Sequence, residues 1–258
     1  MYRLIKTVIL ITLLFSSQLL WSMELAHLER LIEEHALKND AEMAPAEIKK
    51  IARYLDAKNN PDFYAETIQK FLAGDKLAKP KKGLILFVGS SSIRLWNTLA
   101  DDMSPMQVIN RGFGGAYIRH INYHFDDVVS RYKPRAVVFF CGTNDIAGLH
   151  SPESVFADFL RFYAMSREAL PQTKIFVIGI KPTVSRAYLR KEEQDFNARI
   201  ASLAGTEKGL FYIDIWDSML NSDGSANPAL FIEDGLHLNA AGYALWKRLT
   251  KPILEANL

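Results

Sequence analysis

Four short stretches of the chain carry side chains that could do chemistry together: Gly89-Ser90-Ser91-Ser92, Asn110-Arg111-Gly112-Phe113-Gly114-Gly115, Gly142-Thr143-Asn144-Asp145 and Asp234-Gly235-Leu236-His237. A serine hydroxyl is a poor nucleophile until a neighbouring base takes its proton. That base works better when a carboxylate fixes its tautomer and stabilises the imidazolium. Ser91, His237 and Asp234 form such a set, and the short spacing of Asp234 and His237 lets the carboxylate reach the imidazole within one turn. A tetrahedral intermediate also needs donors aimed at its oxyanion, and the backbone N–H groups of Ser91 and Gly115 with the Asn144 carboxamide can supply three. Glycine at 115 lets the backbone approach a substrate with no side chain in the way. The chemistry such a set could perform is acyl transfer from an ester to water.

Taken singly, each stretch has a plainer use. A three-serine turn caps helices, Asn144-Asp145 suits an Asx-turn, Gly112 to Gly115 suits a tight turn, and Asp234-Gly235 is a common turn pair. What favours catalysis is their chain order together with their placement at the ends of the surrounding elements. Phe113 and Tyr117 flank Gly115 and are expected to line the acyl or leaving-group pocket, with the core as the competing destination. Asp217 competes with Asp234 as the carboxylate, and Asp234 is preferred because its reach to His237 is local. His120 and His124 share a helix face but have no third ligand placed by the sequence, so a solvated face is expected and no metal site.

The elements that position these residues follow from the hydrophobic pattern. From Gly83 onward short apolar runs alternate with amphipathic stretches, as in a parallel sheet covered on both faces. Strands are expected at Leu84 to Val88, Gln107 to Asn110, Ala136 to Cys141, Ile175 to Ile180 and Leu210 to Ile215, with helices at Tyr117 to Tyr132, Pro152 to Leu170, Tyr188 to Leu203 and Ala240 to about Ala256. The fold class is therefore α/β: a flavodoxin-like three-layer α/β/α arrangement with a five-stranded parallel sheet, preceded by an N-terminal helical extension. With strand order 2-1-3, the loops after the first three strands converge on one spot at the carboxyl end of the sheet. Trp216 to His237 is long for a connection in such a fold, which points to a functional excursion.

Ahead of the sheet lie three helical patterns, built on Leu25, Leu28 and Ile32, on Ile48, Ile51 and Leu55, and on Tyr64, Ile68, Phe71 and Leu72. The basic cluster Lys79 to Lys82 reads as a solvated linker. At the start, Arg3 and Lys6 precede an apolar run from Thr7 to Trp21, the layout of an export signal, with Ser22 the best residue before a cut; left uncleaved, the run is a signal anchor and membrane tether. The expected organisation is residues 1–23 as signal peptide or signal anchor, 24–82 as helical extension and linker, and 83–258 as a hydrolase domain. A formal net charge of +2 in 258 residues gives no basis for a nucleic-acid surface, and the single cysteine, Cys141, excludes an internal disulfide. The expected location is outside the cytoplasm, periplasmic or extracellular, and the oligomeric state is left open.

Together the four stretches resemble the four blocks of the SGNH (GDSL-like) hydrolase family, a match running from Leu84 to the C-terminus. The resemblance implies Ser91 as nucleophile, Gly115 and Asn144 as oxyanion donors and His237 as base, with no metal or organic cofactor. Two positions depart from it: the family's aspartate before the nucleophile is Ser90 here, and its following leucine is Ser92. Aligning Phe87-Val88-Gly89-x-Ser with the family pattern favours Ser91 over its neighbours. The family includes esterases, lipases, thioesterases and carbohydrate O-acetyl esterases. The expected activity is hydrolysis of short-chain acyl esters on a small molecule or glycan, including O-acetyl groups on carbohydrate. The alternatives are a lipid-directed esterase or thioesterase of the same fold and a non-catalytic anion-binding or scaffold protein.

Overall fold

The computed structural model of the chain describes residues 25–38 and 42–258. The expected export signal at 1–23 lies outside the described residues. Among those described, no helix is long and apolar enough to cross a membrane. The chain divides between Glu66 and Thr67 into two compact units.

In the first unit, helices Leu25–Lys38 and Pro45–Asn59 pack on each other through Leu28, Ile32 and Ala36 and through Ile48, Ala52 and Leu55, apolar faces repeating at three- and four-residue steps. Pro45 opens the second helix at a position where its missing N–H costs nothing. The Asn60 side chain accepts the Asp62 N–H at 2.9 Å and starts the turn Pro61–Tyr64.

The second unit holds five parallel strands in the order β2-β1-β3-β4-β5: β1 Ile85–Gly89, β2 Val108–Gly112, β3 Ala136–Phe140, β4 Lys174–Ile178 and β5 Leu210–Ile213. This is the expected flavodoxin-like α/β sheet. Both faces are covered. Phe87, Val138, Phe140 and Phe176 point to one side, where Phe140 meets Trp246 of the helix Ala240–Asn257 with ring centroids 4.8 Å apart. Phe139 points to the other side and packs on Phe159 and Phe162 of the helix Pro152–Ala169 at 5.6 and 4.6 Å. That alternation explains why β1 and β3 are apolar at every position. Trp96 lies in the first of these layers, stacked 5.5 Å from Tyr243.

At the sheet edge, β2 is tied to the helix Ala65–Leu77 by a buried ion pair between Arg111 and Asp75. Tyr132 supports the pair, its hydroxyl donating to Asp75 at 2.6 Å and accepting from Arg111 Nε at 2.6 Å. The Arg111 guanidinium also lies 5.0 Å from the Phe71 and Tyr132 ring centroids. The edge strand is thus screened by a charge held between aromatic faces.

One expected helix is different in the structure. Tyr117 to Tyr132 is not continuous: it forms helices Ile118–Tyr123 and Phe125–Val128 and a 3-10 turn Ser130–Tyr132, because the chain leaves helical geometry at His124 (φ −95, ψ 19). His120 and His124 are correspondingly buried, not solvated as expected. His120 Nδ1 accepts the Tyr117 N–H at 2.9 Å, and its ring stacks on Tyr117 at 5.1 Å, so it serves as a helix cap inside the core.

Candidate active site

β1 ends at Gly89 with φ +151, a conformation L side chains rarely adopt, and a Cβ there would stand 2.0 Å from the Phe140 carbonyl oxygen of β3. The turn that follows is pinned by the Ser90 N–H, which donates to that same carbonyl at 3.0 Å. Ser91 then opens the short helix Ser91–Arg94 at the carboxyl end of the sheet, where strand order reverses direction about β1. The three serines take different directions. Ser90 is buried, Ser92 is buried with its hydroxyl 3.1 Å from Lys181 Nζ, and Ser91 is half-buried with its Oγ 2.9 Å from His237 Nε2.

His237 comes from the excursion after β5. This segment contains the turns Asp217–Met219 and Pro228–Leu230 and is closed by the Leu220–Ala226 and Phe231–Leu238 bridges. Its last turn is built on one carboxylate. Asp234 Oδ1 accepts the N–H groups of Leu236 and His237, each at 2.8 Å, and Oδ2 stands 2.5 Å from His237 Nδ1. Burial pushes the Asp234 carboxyl up, but the bonds from the His237 ring and from the two backbone N–H groups outweigh it and hold the group down at about 2. The carboxylate is therefore ionised at neutral pH, with the imidazole pointed from it to the serine. Asp217, the competing carboxylate, lies in the 3-10 turn at the start of the excursion.

The remaining two loops converge here as expected. Gly115 has φ +76, and the next residue, Ala116, offers its carbonyl to Asn144 Nδ2 at 3.3 Å. Asn144 sits in the short helix Thr143–Ala147 directly after β3. A carboxamide carries two N–H donors, so this bond leaves one Asn144 hydrogen for another acceptor. The arrangement joins a hydroxyl, an imidazole and a carboxylate in one hydrogen-bonded line beside a glycine backbone and an amide donor. Such a group can deprotonate an alcohol and stabilise an oxyanion.

The expected pocket lining requires correction. Phe113 is 0% and Tyr117 1% exposed, so both are core residues with no surface for a substrate. A Cβ on Gly148 would stand 2.3 Å from the Tyr117 hydroxyl, which shows how tightly that ring is enclosed. The flanking position of two aromatics in sequence does not say which way they face. Cys141 is buried, with its Sγ 3.3 Å from the Ala116 carbonyl. Among the described residues, no cluster of three or more metal-ligating side chains is present.

Sequence reasoning missed the loop after β4. Its Val184 and Ser185 N–H groups donate to the Gly235 carbonyl at 3.0 and 3.2 Å, bracing the Asp234–His237 turn. Next to them, Arg186 Nη1 lies 3.1 Å from Asn144 Oδ1 and 3.3 Å from both the carbonyl and the hydroxyl oxygen of Thr143. The Thr143 hydroxyl in turn donates to Glu193 Oε1 at 2.8 Å. Burial raises Glu193 to about 7, against the Thr143 bond and the charges of Lys181 and Arg186. Burial likewise lowers Arg186. The available signal was positional: this loop leaves the carboxyl end of a strand, the same end that carries the other three.

A GDSL-like lipase/acylhydrolase family model matches residues 88–245. A protein assigned as an acylhydrolase from Bacteroides fragilis is 25% identical with a TM-score of 0.64, over 76% of this chain and 96% of its own. A GDSL-like lipase from Bacteroides thetaiotaomicron is 23% identical with a TM-score of 0.63, over 77% and 98%. A carbohydrate esterase family 3 protein from Talaromyces cellulolyticus shares the fold at 17% identity and a TM-score of 0.55, over 67% and 97%. No curated protein matches the chain.

Proposed function

The chain belongs to the GDSL-like lipase/acylhydrolase family and is a carboxylic ester hydrolase, and from that premise we propose that it removes short acyl groups, including O-acetyl groups on carbohydrate, through an acyl-enzyme on Ser91. The observation that carries the residue assignment is the line of hydrogen bonds from Ser91 Oγ to His237 Nε2 at 2.9 Å and from His237 Nδ1 to Asp234 Oδ2 at 2.5 Å. With the Nδ1 proton held by the carboxylate, Nε2 is the acceptor that takes the Ser91 proton as Oγ attacks the ester carbonyl. The tetrahedral oxyanion is met by the Ser91 and Gly115 N–H groups and the remaining Asn144 hydrogen. His237 returns the proton to the leaving alcohol. A water activated in the same way then attacks the acyl-enzyme and releases the acid and Ser91.

Short acyl groups are favoured by exposure. The His237 side chain is 23% and that of Asp234 43% exposed, so the acid–base pair faces solvent, and Phe113 and Tyr117 are spent on the core instead of walling an acyl channel. The fold shared with a carbohydrate esterase is in keeping with a glycan-linked alcohol. The basic, then apolar, layout of residues 3–21 supports export as the route to such a substrate.

The test is hydrolysis of a chromogenic aryl ester series from acetyl to long-chain acyl, with Ser91→Ala run beside wild type. Activity that is greatest for acetyl and abolished by the substitution is the expected result. A maximum at long chains transfers the substrate to lipid esters, and activity surviving Ser91→Ala removes Ser91 as nucleophile.

A further inference from the structure

A carboxamide is ambiguous as an oxyanion donor, because a half-turn of its terminal torsion exchanges the N–H₂ group for a carbonyl oxygen that would repel the oxyanion. Something must set Asn144, and the Ala116 carbonyl on Nδ2, at 3.3 Å, is a long bond. The Oδ1 side is held at 3.1 Å by Arg186 Nη1. A guanidinium has donors and no acceptor, so the flipped amide would bring two sets of N–H groups face to face. The cation also draws electron density toward Oδ1, which strengthens the N–H donors at the other end of the amide.

Arg186 is itself fixed. The same Nη1 reaches the Thr143 carbonyl and hydroxyl, and the Thr143 hydroxyl donates a hydrogen bond to the buried Glu193 carboxyl. The guanidinium can only donate, so the Thr143 hydroxyl accepts from it and turns its own hydrogen to the Glu193 carboxyl, while the Asn144 amide presents its oxygen. Thr143 and Asn144 are adjacent, so one cation grips two successive residues of the loop after β3.

We propose that Arg186 is a positioning residue of the ester hydrolase, holding the Asn144 carboxamide with its N–H₂ toward the oxyanion site, through a guanidinium anchored by Thr143 and Glu193. This rests on the oxyanion role assigned to Asn144 above. Arg186 acts through Asn144, so its loss impairs the chemical step and spares binding of the ground-state ester.

The experiment is a double-mutant cycle of Arg186→Met and Asn144→Ala on an aryl acetate, joined to NMR of the side-chain amide signals of the same proteins. Arg186→Met is expected to lower kcat by about 10- to 100-fold, with KM within about twofold, and to cost nothing more once Asn144 is alanine. The Asn144 N–H₂ pair, identified by its loss in Asn144→Ala, is expected to shift in Arg186→Met while the backbone spectrum is retained. If Arg186→Met does not fold, Arg186→Lys, which keeps the charge but not the planar fork, goes through the same cycle and spectra. An undiminished loss in the Asn144→Ala background, a rise in KM in place of the fall in kcat, or an unmoved N–H₂ pair overturns the proposal. Should the wild type hydrolyse no ester, the proposed function fails, and the amide signals still decide whether Arg186 sets Asn144.

Discussion

Asp234 holds His237 at two points at once: one carboxylate oxygen stands 2.5 Å from the imidazole Nδ1 and the other accepts the His237 backbone N–H at 2.8 Å. Ring orientation and backbone position are thus set by a single side chain. Asp234→Asn should lower kcat by about 10²–10⁴-fold, since an amide nitrogen facing Nδ1 favours the wrong tautomer. Aryl acetate kinetics check this, and a kcat close to wild type would mean that another group orients the imidazole.

The Asn144 amide faces the loop of Gly115, and Asn144→Ala should reduce kcat by about 10²–10³-fold. Its bonds end on one carbonyl and one guanidinium, so the thermal midpoint should fall only modestly. Steady-state kinetics beside a melting curve separate the two effects. Wild-type turnover would remove Asn144 from the oxyanion site.

Gly89→Ala addresses the turn that delivers the nucleophile. The new Cβ would stand 2.0 Å from the Phe140 carbonyl oxygen, in the middle of the sheet, where neither strand can retreat. A destabilisation of about 3 kcal/mol or more is expected. Urea denaturation measures it, and a midpoint equal to wild type would show that β1 and β3 can separate locally.

Lys181 gives a pH dependence of stability. Burial, then the charge of Arg186, lowers its ammonium to about 7, against the opposing pull of Glu193 and Asp234. The unfolded chain keeps that proton up to a pKa of about 10.4. Between about pH 10 and pH 7 the unfolded state therefore binds more protons, and this contribution to stability is lost as pH falls. Lys181→Met removes the titrating group. Urea midpoints of wild type should decline relative to the variant across that window, whereas parallel curves would show that Lys181 keeps its ordinary affinity for protons.

Much of this architecture was legible in the chain. The apolar runs locate all five strands to within a few residues because β1 and β3 are buried on both faces and carry no polar interruption. β2, a half-exposed edge strand, and β4 are displaced equally, by one residue at the start and two at the end. The four chemical stretches were visible because each follows a strand or precedes the last helix. Side-chain direction was not: Phe113 and Tyr117 neighbour Gly115 in sequence yet point into the core, and His120 caps a helix from within it. Arg186, Thr143 and Glu193 come from three separate segments, and only the folded sheet brings the loop after β4 over the loop after β3.

The bond between Ser91 and His237 spans 146 residues of chain. The Tyr243 hydroxyl, on the helix that follows His237, reaches back to the Ser92 carbonyl at 2.9 Å. If Ser91 is the nucleophile and His237 its base, as proposed, a ribosome makes the first long before the second, and every intermediate length of the nascent polypeptide carries an ordinary alcohol at Ser91. On the proposed mechanism hydrolysis needs His237 in place beside Ser91, so a molecule truncated before His237 is expected to be chemically silent.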